Sequence, residues 1–340
     1  MSFVPELTRT RVRPAGILAG APLSRIHGPA DALGLVAVEL AAAELALVEL
    51  VHSDVAAIPA VGRYLAASGG KRLRPALTAL GARAIGHVKP IGRLMCVGEL
   101  IHLGSLLHDD VVDEADTRRG RTAAHHLFGN AATVLTGDFC LARAVLLASE
   151  EGGHAAVTHL AAAVTEMAEG EVLQLKHAGD LSCGYEQYLD VIERKSAALI
   201  AWCCAAPAWA AGDAKAADAL SRFGRGIGTA FQITDDVLDY AAGTGKTPGA
   251  DLRERKVTLP LLYAMRKRPA LRAELEAGEP SADRLPGLMA EVIATGALEA
   301  ALVDARRFVD DALAALTELP PGEGRDALAV LGRHLVERAR

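Results

Sequence analysis

The sequence predicts an almost wholly α-helical protein with a single domain. Apolar residues recur at helical spacing, for example at Leu220, Phe223, Ile227, Phe231 and Leu238, and no convincing run alternates between polar and apolar residues as a strand does. An apolar content of 51% in 340 residues is enough for a substantial core. The Gly and Pro breaks are spaced as helix ends, which favours one domain over two joined by a linker.

Taken along the chain, residues 1–28 carry prolines, glycines and four arginines without periodicity, so we expect a loosely ordered N-terminal arm followed by a helical domain over 29–340. The most apolar stretch, Ala197 to Gly212, is too short for a membrane span and predicts a buried helix. Helix ends are predicted at Gly69-Gly70, Gly152-Gly153, Pro207, Gly212-Asp213, Pro280, Pro286-Gly287 and Pro320-Pro321-Gly322.

Two copies of one acidic pattern stand inside apolar helical sequence, Asp109-Asp110-Val111-Val112-Asp113 and Asp235-Asp236-Val237-Leu238-Asp239. On a helix the first and last Asp of each copy lie about one turn apart on one face, beside the middle one. A single such pattern on a solvated helix is usually only a charged surface. Here the apolar flanks make unpaired charge costly, and oxygen ligands suit hard cations such as Mg²⁺. The two copies therefore indicate a site for metal ions and a polyphosphate.

Basic residues that can hold phosphate occur near both acidic patterns. The turn from Gly69 to Pro75 presents Lys71, Arg72 and Arg74 behind two glycines, and Arg118, Arg119 and Arg121 follow the first acidic pattern. Guanidinium groups bind phosphate oxygens in bidentate fashion. Taken singly, each cation is more often a solvated surface residue, and only their grouping around the acidic patterns indicates a site.

These segments resemble the trans-isoprenyl diphosphate synthases, also called polyprenyl synthetases, and most of all their long-chain, octaprenyl-type members. The first family motif is similar to residues 106–113 followed by Arg118-Arg119-Gly120, and the second is similar to residues 231–239. The resemblance extends over about residues 65–265. Further similar stretches are Gly69 to Pro75, Phe128-Gly129-Asn130, Gly137-Asp138, Gly170-Glu171 with Gln174, Lys195-Ser196, and Gly245-Lys246 running to Lys256 and Pro260.

The resemblance implies a helical bundle around a central apolar cavity and a role for each matching residue. Its metal ligands would be Asp109, Asp110, Asp113, Asp235, Asp236 and Asp239, holding a cluster of about three Mg²⁺ ions. An allylic diphosphate would be bound by Arg118, Lys195, Lys246 and Lys256, with Ser196 and Gln232 nearby, and isopentenyl diphosphate by Lys71, Arg74, His102 and Arg119. Ser196 stands where the family usually has Thr and keeps the hydroxyl. The residues expected to carry the chemistry are Asp109, Asp110, Asp113, Arg118, Lys195, Asp235, Asp236 and Lys246.

The implied reaction is ionisation of the allylic diphosphate, attack by the alkene of isopentenyl diphosphate, and loss of a proton to a base, with released pyrophosphate as that base. Residues one to three turns before Asp109 are expected to form the wall that limits chain length: Gly98, Ile101, Gly104 and Ser105. Their small size favours a long product of about 30 to 50 carbons, with a C20 product as the rival. The same glycines can instead serve close helix packing.

The net charge of −6 argues against nonspecific nucleic-acid binding. No leader pattern is evident, so we expect a cytoplasmic protein without a transmembrane segment, and the family resemblance implies a homodimer. Two other functions are kept as alternatives. A noncatalytic partner subunit would characteristically lack one or both aspartate-rich motifs, and a terpene cyclase would have no role for the second motif. The sequence leaves open the primer, the product length, the pathway served and the need for a second subunit.

Overall fold

The computed structural model describes residues 26–66, 72–87, 91–118, 120–241 and 249–337. The predicted arm, residues 1–28, therefore lies outside the described residues except for its last three. The first helices are α1 (Pro29–Gly34), α2 (Ala37–Leu50), α3 (Ala57–Ala66), α4 (Leu73–Ala84), α5 (Leu94–Val112), α6 (Ala124–Phe128) and α7 (Asn130–Lys176). A small antiparallel hairpin of β1 (Thr117–Arg118) and β2 (Arg121–Thr122) lies between α5 and α6 and pairs Arg118 with Arg121.

The second half of the protein is helical as well, and it contains one π-helical turn (Glu193–Ala197). Its α-helices are α8 (Tyr185–Ile192), α9 (Ala198–Ala211), α10 (Ala214–Leu238), α11 (Ala250–Arg253), α12 (Leu259–Lys267), α13 (Pro269–Glu276), α14 (Leu285–Ala294), α15 (Ala297–Leu316) and α16 (Glu323–Glu337). The predicted all-α fold is confirmed.

Helix α9 is the buried helix that the apolar stretch predicted. Every residue from Ala198 to Ala208 is buried, as expected for a helix that is apolar on all sides. The break predicted at Pro207 is wrong, because this proline lies inside α9. Packing on all sides keeps the helix intact despite the hydrogen bond that proline removes. The helix ends instead at Gly212, whose φ of 73° is readily adopted by glycine.

Helix α7 is 47 residues long and contains a kink where a helix end was predicted. Gly153 has a φ of 71° and interrupts the helical geometry, but the chain continues in helix on both sides. Among the described helices, α7 alone is long and apolar enough to cross a membrane by length and composition. It packs against α5 and α9 of the bundle.

The core consists of three apolar clusters that share helices. The first joins α2, α4, α5, α7, α9 and α16 to the first half of α10, and the second joins the last turns of α10 to α8 and α12–α15. The third packs α3 and α6 against α5. Helix α10 belongs to the first and second clusters, and α5 belongs to the first and third. Apolar packing therefore positions the C-terminal part of each of these helices.

Candidate active site

Both aspartate-rich motifs lie at the C-terminal ends of long buried helices. Asp109 and Asp110 occupy the last turn of α5, and Asp113 is its C-cap residue. The second motif repeats the arrangement in α10, with Asp239 as the C-cap. The C-terminal end of a helix carries a negative partial charge, so carboxylates there are destabilising unless a cation is near.

Asp110 is completely buried and is paired with Arg118 of the neighbouring hairpin. The Nε atom of Arg118 donates to Oδ1 of Asp110 at 2.6 Å. The other carboxylate oxygen, Oδ2, is also buried and has no hydrogen-bond partner among the described residues. A buried carboxylate oxygen without a donor is costly and marks a place where a cation or another ligand would be stabilised.

Asp109 lies near the π-helical turn and the end of α7. The pKa of Asp109 is raised to about 6, first by burial and then by Glu171 and Asp113, while the Lys195 ammonium and Arg118 lower it. Lys195 Nζ is itself 2.5 Å from Oε2 of Glu171. The structure thus brings Lys195, predicted from sequence, close to the first motif.

The π-helical turn reaches this position because α7 has a glycine where the two elements touch. A Cβ atom on Gly170 would lie 2.6 Å from the backbone nitrogen of Lys195 and 2.9 Å from Cβ of Arg194. Any larger residue would push the turn away. The Gly170-Glu171 segment therefore has two functions, since Gly170 permits the approach and Glu171 pairs with the lysine.

The second motif is organised by hydrogen bonds to Asp236. Its Oδ2 accepts from the Tyr188 hydroxyl at 2.7 Å, and its Oδ1 accepts from Nε2 of Gln232 at 2.9 Å. Gln232 in turn accepts a hydrogen bond from the Ser196 hydroxyl at 2.8 Å. Burial raises the pKa of Asp236, while the nearby Lys256 ammonium lowers it. The predicted residues Ser196, Gln232 and Asp236 are thus brought together.

Lys256 joins the second motif through a residue that the sequence analysis missed. Its Nζ lies 3.5 Å from Oδ1 of Asp251, and the backbone N–H of Asp251 donates to Oδ2 of Asp239 at 3.3 Å. Burial lowers the pKa of Lys256, but Asp251 and Asp236 together raise it above its ordinary value. Asp251 and Tyr188 were both missed. The sequence did offer a signal for Asp251, because this carboxylate lies five residues before Lys256, a predicted phosphate-binding residue. It offered no signal for Tyr188.

The residues predicted for isopentenyl diphosphate are described only in part. Arg74 on α4 lies against α5, with its Cβ 3.6 Å from the position that a Cβ on Gly98 would take, and His102 follows one turn later on α5, half-buried. Lys71 and Arg119 fall outside the described residues. So does Lys246, which was predicted for the allylic diphosphate.

The predicted chain-length wall stays a prediction, and its two glycines lie at close helix contacts. A Cβ on Gly98 would lie 2.2 Å from Sγ of Cys203, and one on Gly104 would lie 3.0 Å from the carbonyl oxygen of Gly137. Both positions therefore permit close helix packing, which is the alternative that the sequence analysis left open. Ile101 is fully buried in the core. Ser105 is half-buried on the same stripe of α5 as Asp109, and it stays a candidate for the wall.

The donor set fits a hard cation such as Mg²⁺. The observations are the buried oxygen of Asp110 without a donor and the burial of Asp109 and Asp236, which disfavours their charged forms. Among the described residues, no group of three His, Cys, Asp or Glu side chains is arranged to hold a metal alone.

A surface cavity of about 310 Å³ lies between α7, α9 and α10, away from both motifs. Alanines form much of its lining, with Trp202 and Trp209, and the Arg225–Glu166 ion pair lies at its edge. It contains no residue of either aspartate-rich motif, so it is not the predicted substrate tunnel. That tunnel stays a prediction.

Comparison with known proteins gives a consistent result. The polyprenyl synthetase family model matches residues 55–289. The octaprenyl diphosphate synthase of Escherichia coli K12 is 39% identical over 316 residues, covering 90% of this chain and 98% of that protein. The octaprenyl diphosphate synthase of Haemophilus influenzae is 41% identical, covering 84% and 90%. The crystal structure of polyprenyl synthase from Caulobacter crescentus, complexed with calcium and isoprenyl diphosphate, has a TM-score of 0.87 and 39% identity, covering 92% and 99% of the two chains.

Proposed function

The chain belongs to the polyprenyl synthetase family, and from this premise we propose that it condenses isopentenyl diphosphate with an allylic diphosphate to make a long-chain trans-polyprenyl diphosphate. The single observation that carries the proposal is the pairing of three buried or half-buried carboxylates, drawn from both motifs, with three separate cations. Asp110 contacts Arg118, Asp109 lies near Lys195, and Asp236 lies near Lys256. Such a site can neutralise a diphosphate and release it.

In the proposed reaction the allylic C–O bond breaks and both of its electrons leave with the diphosphate. Arg118, Lys195 and Lys256 stabilise the negative charge that grows on the departing oxygens, and they do so without reorganising, because Asp110, Glu171 and Asp251 already hold them in place. When bound, Mg²⁺ supplies further charge neutralisation to the diphosphate, with the six aspartates as its protein ligands.

The second half of the reaction forms one carbon–carbon bond. The alkene of isopentenyl diphosphate attacks the allylic cation, and the adjacent carbon then loses a proton to the released pyrophosphate. Arg74 and His102 on α4 and α5 bind the diphosphate of isopentenyl diphosphate in this scheme, with Lys71 and Arg119. No protein nucleophile is required.

The test is product analysis with purified protein, labelled isopentenyl diphosphate, Mg²⁺ and each of the C5, C10, C15 and C20 allylic diphosphates. We expect labelled prenyl diphosphates longer than C20. A C20 product alone would replace the long-chain proposal with a geranylgeranyl diphosphate synthase. Absence of condensation with any primer, in folded protein, would overturn the enzyme proposal in favour of a partner subunit. Consumption of allylic substrate alone would indicate a cyclase.

The proposal includes a homodimer formed through α7. Only 39% of the most apolar part of this helix is buried, and large apolar side chains on it are exposed to solvent. They are Leu135, Val145, Leu146, Val172 and Leu175. A second copy of the chain would cover this surface. Sedimentation equilibrium should give twice 35.4 kDa, and a monomer at micromolar concentration would contradict the proposal.

The proposal also includes a cytoplasmic location. All five cysteines are buried and carry free thiols. Unpaired cysteines are typical of a reducing compartment.

A further inference from the structure

Tyr188 is a buried residue that the mechanism above does not use. It lies on α8 and is 4% exposed, and its hydroxyl donates to Oδ2 of Asp236 on α10. The two residues are 48 positions apart in sequence, so the contact joins two separate helices. A hydrogen bond from a hydroxyl to a charged acceptor is stronger than one between neutral groups.

Asp236 receives a second connection from the same side of the bundle. Ser196, in the π-helical turn, donates to Gln232, and Gln232 donates to Oδ1 of Asp236 from one turn away on α10. Helix α8 runs directly into the π-helical turn. Tyr188 and Ser196 therefore attach the two ends of one continuous segment to the same carboxylate.

These two attachments fix the distance between Lys195 and the second aspartate-rich motif. The segment between these attachments carries Lys195, and the carboxylate that receives them is the middle aspartate of the second motif. Both oxygens of Asp236 have protein donors, so this residue is held as a fixed point beside Asp235 and Asp239. If the Tyr188 hydroxyl were absent, Asp236 could turn about its side-chain bonds and the spacing between Lys195 and the second motif would no longer be set.

The contact between Tyr188 and Asp236 could also serve only to satisfy a buried hydroxyl. A buried tyrosine needs some acceptor for its hydroxyl, and a carboxylate serves that purpose in many protein cores. Two features are against that explanation here. The acceptor belongs to a motif whose burial disfavours its own charge, and the donor lies on the element that positions a phosphate-binding lysine. If the Tyr188 hydroxyl needed only a hydrogen-bond acceptor in the core, a backbone carbonyl would serve equally well.

We propose that Tyr188 is a positioning residue for the second aspartate-rich motif, acting through Asp236 to set the affinity for metal ions and allylic diphosphate. This inference rests on the proposed function. It goes beyond the proposed function by assigning a role to a residue that the proposed reaction does not use. Residues that hold metal ligands in this way typically change metal affinity or activity about 10- to 100-fold when they are altered.

The test is Tyr188→Phe, which removes one hydroxyl and keeps the ring, compared with Tyr185→Phe on the same helix as a matched control. We expect the Mg²⁺ concentration for half-maximal activity to rise about tenfold in Tyr188→Phe, together with the KM for the allylic diphosphate. The KM for isopentenyl diphosphate should change less than about twofold, because Arg74 and His102 lie on other helices. Tyr185→Phe should behave as the unaltered protein. A lower melting temperature with an unchanged Mg²⁺ dependence would overturn the inference.

A double variant tests whether Tyr188 acts through Asp236. If it does, Tyr188→Phe combined with Asp236→Asn should be no worse than Asp236→Asn alone in Mg²⁺ dependence, whereas additive effects would overturn the inference. Calorimetric titration of inorganic pyrophosphate with Mg²⁺ into each folded protein gives the same comparison without turnover. Loss of condensation in the unaltered protein would overturn the proposed function, while this titration would still decide the role of Tyr188.

Discussion

The contact between Gly170 and the π-helical turn makes a sharp prediction about activity. In Gly170→Ala the new Cβ would lie 2.6 Å from the nitrogen of Lys195 and 3.1 Å from its Cα. An ordinary van der Waals contact needs about 3.4 Å or more, so the turn must move by roughly 0.8 Å. Because the atoms in contact are backbone atoms, a change of rotamer cannot relieve the clash, and Lys195 moves with the turn.

The expected loss of stability is small, and the expected loss of activity is large. Overpacking costs about 1–3 kcal/mol, and replacing glycine by alanine inside a helix returns up to about 1 kcal/mol. A net loss of about 0–3 kcal/mol leaves the protein folded, since typical domains are stable by about 5–15 kcal/mol. A displacement of about 1 Å in a catalytic group, in contrast, can lower the rate about 100-fold.

The assay is kcat for condensation at saturating Mg²⁺, measured beside thermal unfolding of the same samples. Gly34→Ala is the matched control, because a Cβ there meets nothing within 4 Å. We expect Gly170→Ala to lose activity about 100-fold with a melting temperature within a few degrees of the unaltered protein. A kcat within twofold of the unaltered protein would refute the reasoning that this contact sets the position of Lys195.

Three further predictions follow from individual residues. Glu99→Gln should lower the free energy of unfolding by about 1–3 kcal/mol, because it removes the charge from a buried contact of 2.7 Å while Arg72 keeps its ion pair with Glu44. Glu318→Gln in an exposed pair should cost under about 1 kcal/mol, and equal urea midpoints for the two variants would contradict this. Because the pKa of Asp109 is raised from 3.8 to about 6, the folded metal-free protein binds a proton at this residue more tightly than the unfolded chain does. The resulting stabilisation is fully present below pH 3.8 and is lost as the pH rises through 6. Asp109→Asn should flatten this part of the pH–stability curve, and an unchanged slope would show that burial does not hold the pKa high. Ser105→Phe should shorten the product while the first condensation continues, and unchanged chromatograms would remove Ser105 from the wall.

Much of the site could be predicted from sequence because its residues belong to short local motifs. The spacing within each aspartate-rich motif fixes which carboxylates share a helix face, and the apolar flanks predict that the helix is buried. The structure confirms that both motifs lie on helices, at the ends of α5 and α10. Lys195 and Lys256 were found from sequence because they belong to short segments typical of the family.

The remaining features depend on contacts between distant parts of the chain. Periodicity gives the directions in which Gly98 and Gly104 face on α5, but it does not show that Cys203 of α9 and Gly137 of α7 stand opposite them. For the same reason, no pattern distinguishes Tyr188 from any other aromatic residue on an amphipathic helix. Residues whose role is set by a partner on another helix become visible only when the helices are packed.

The placement of both motifs at helix C-termini is best explained by a ligand of positive charge. For stability alone, the last turn of a helix favours Lys or Arg, and burial favours neutral side chains. Asp110 and Asp236 are opposed by both effects, although Arg118 pairs with Asp110, and Lys256, Tyr188 and Gln232 partly compensate Asp236. Both costs act on the same carboxylates, and bound cations relieve both together. The same arrangement occurs on two helices whose motifs are 126 positions apart in sequence, so a requirement of folding is a poor explanation for it. A site that is destabilising until cations and a diphosphate arrive also has a use in the proposed reaction, because binding energy gained there holds the diphosphate while its negative charge grows.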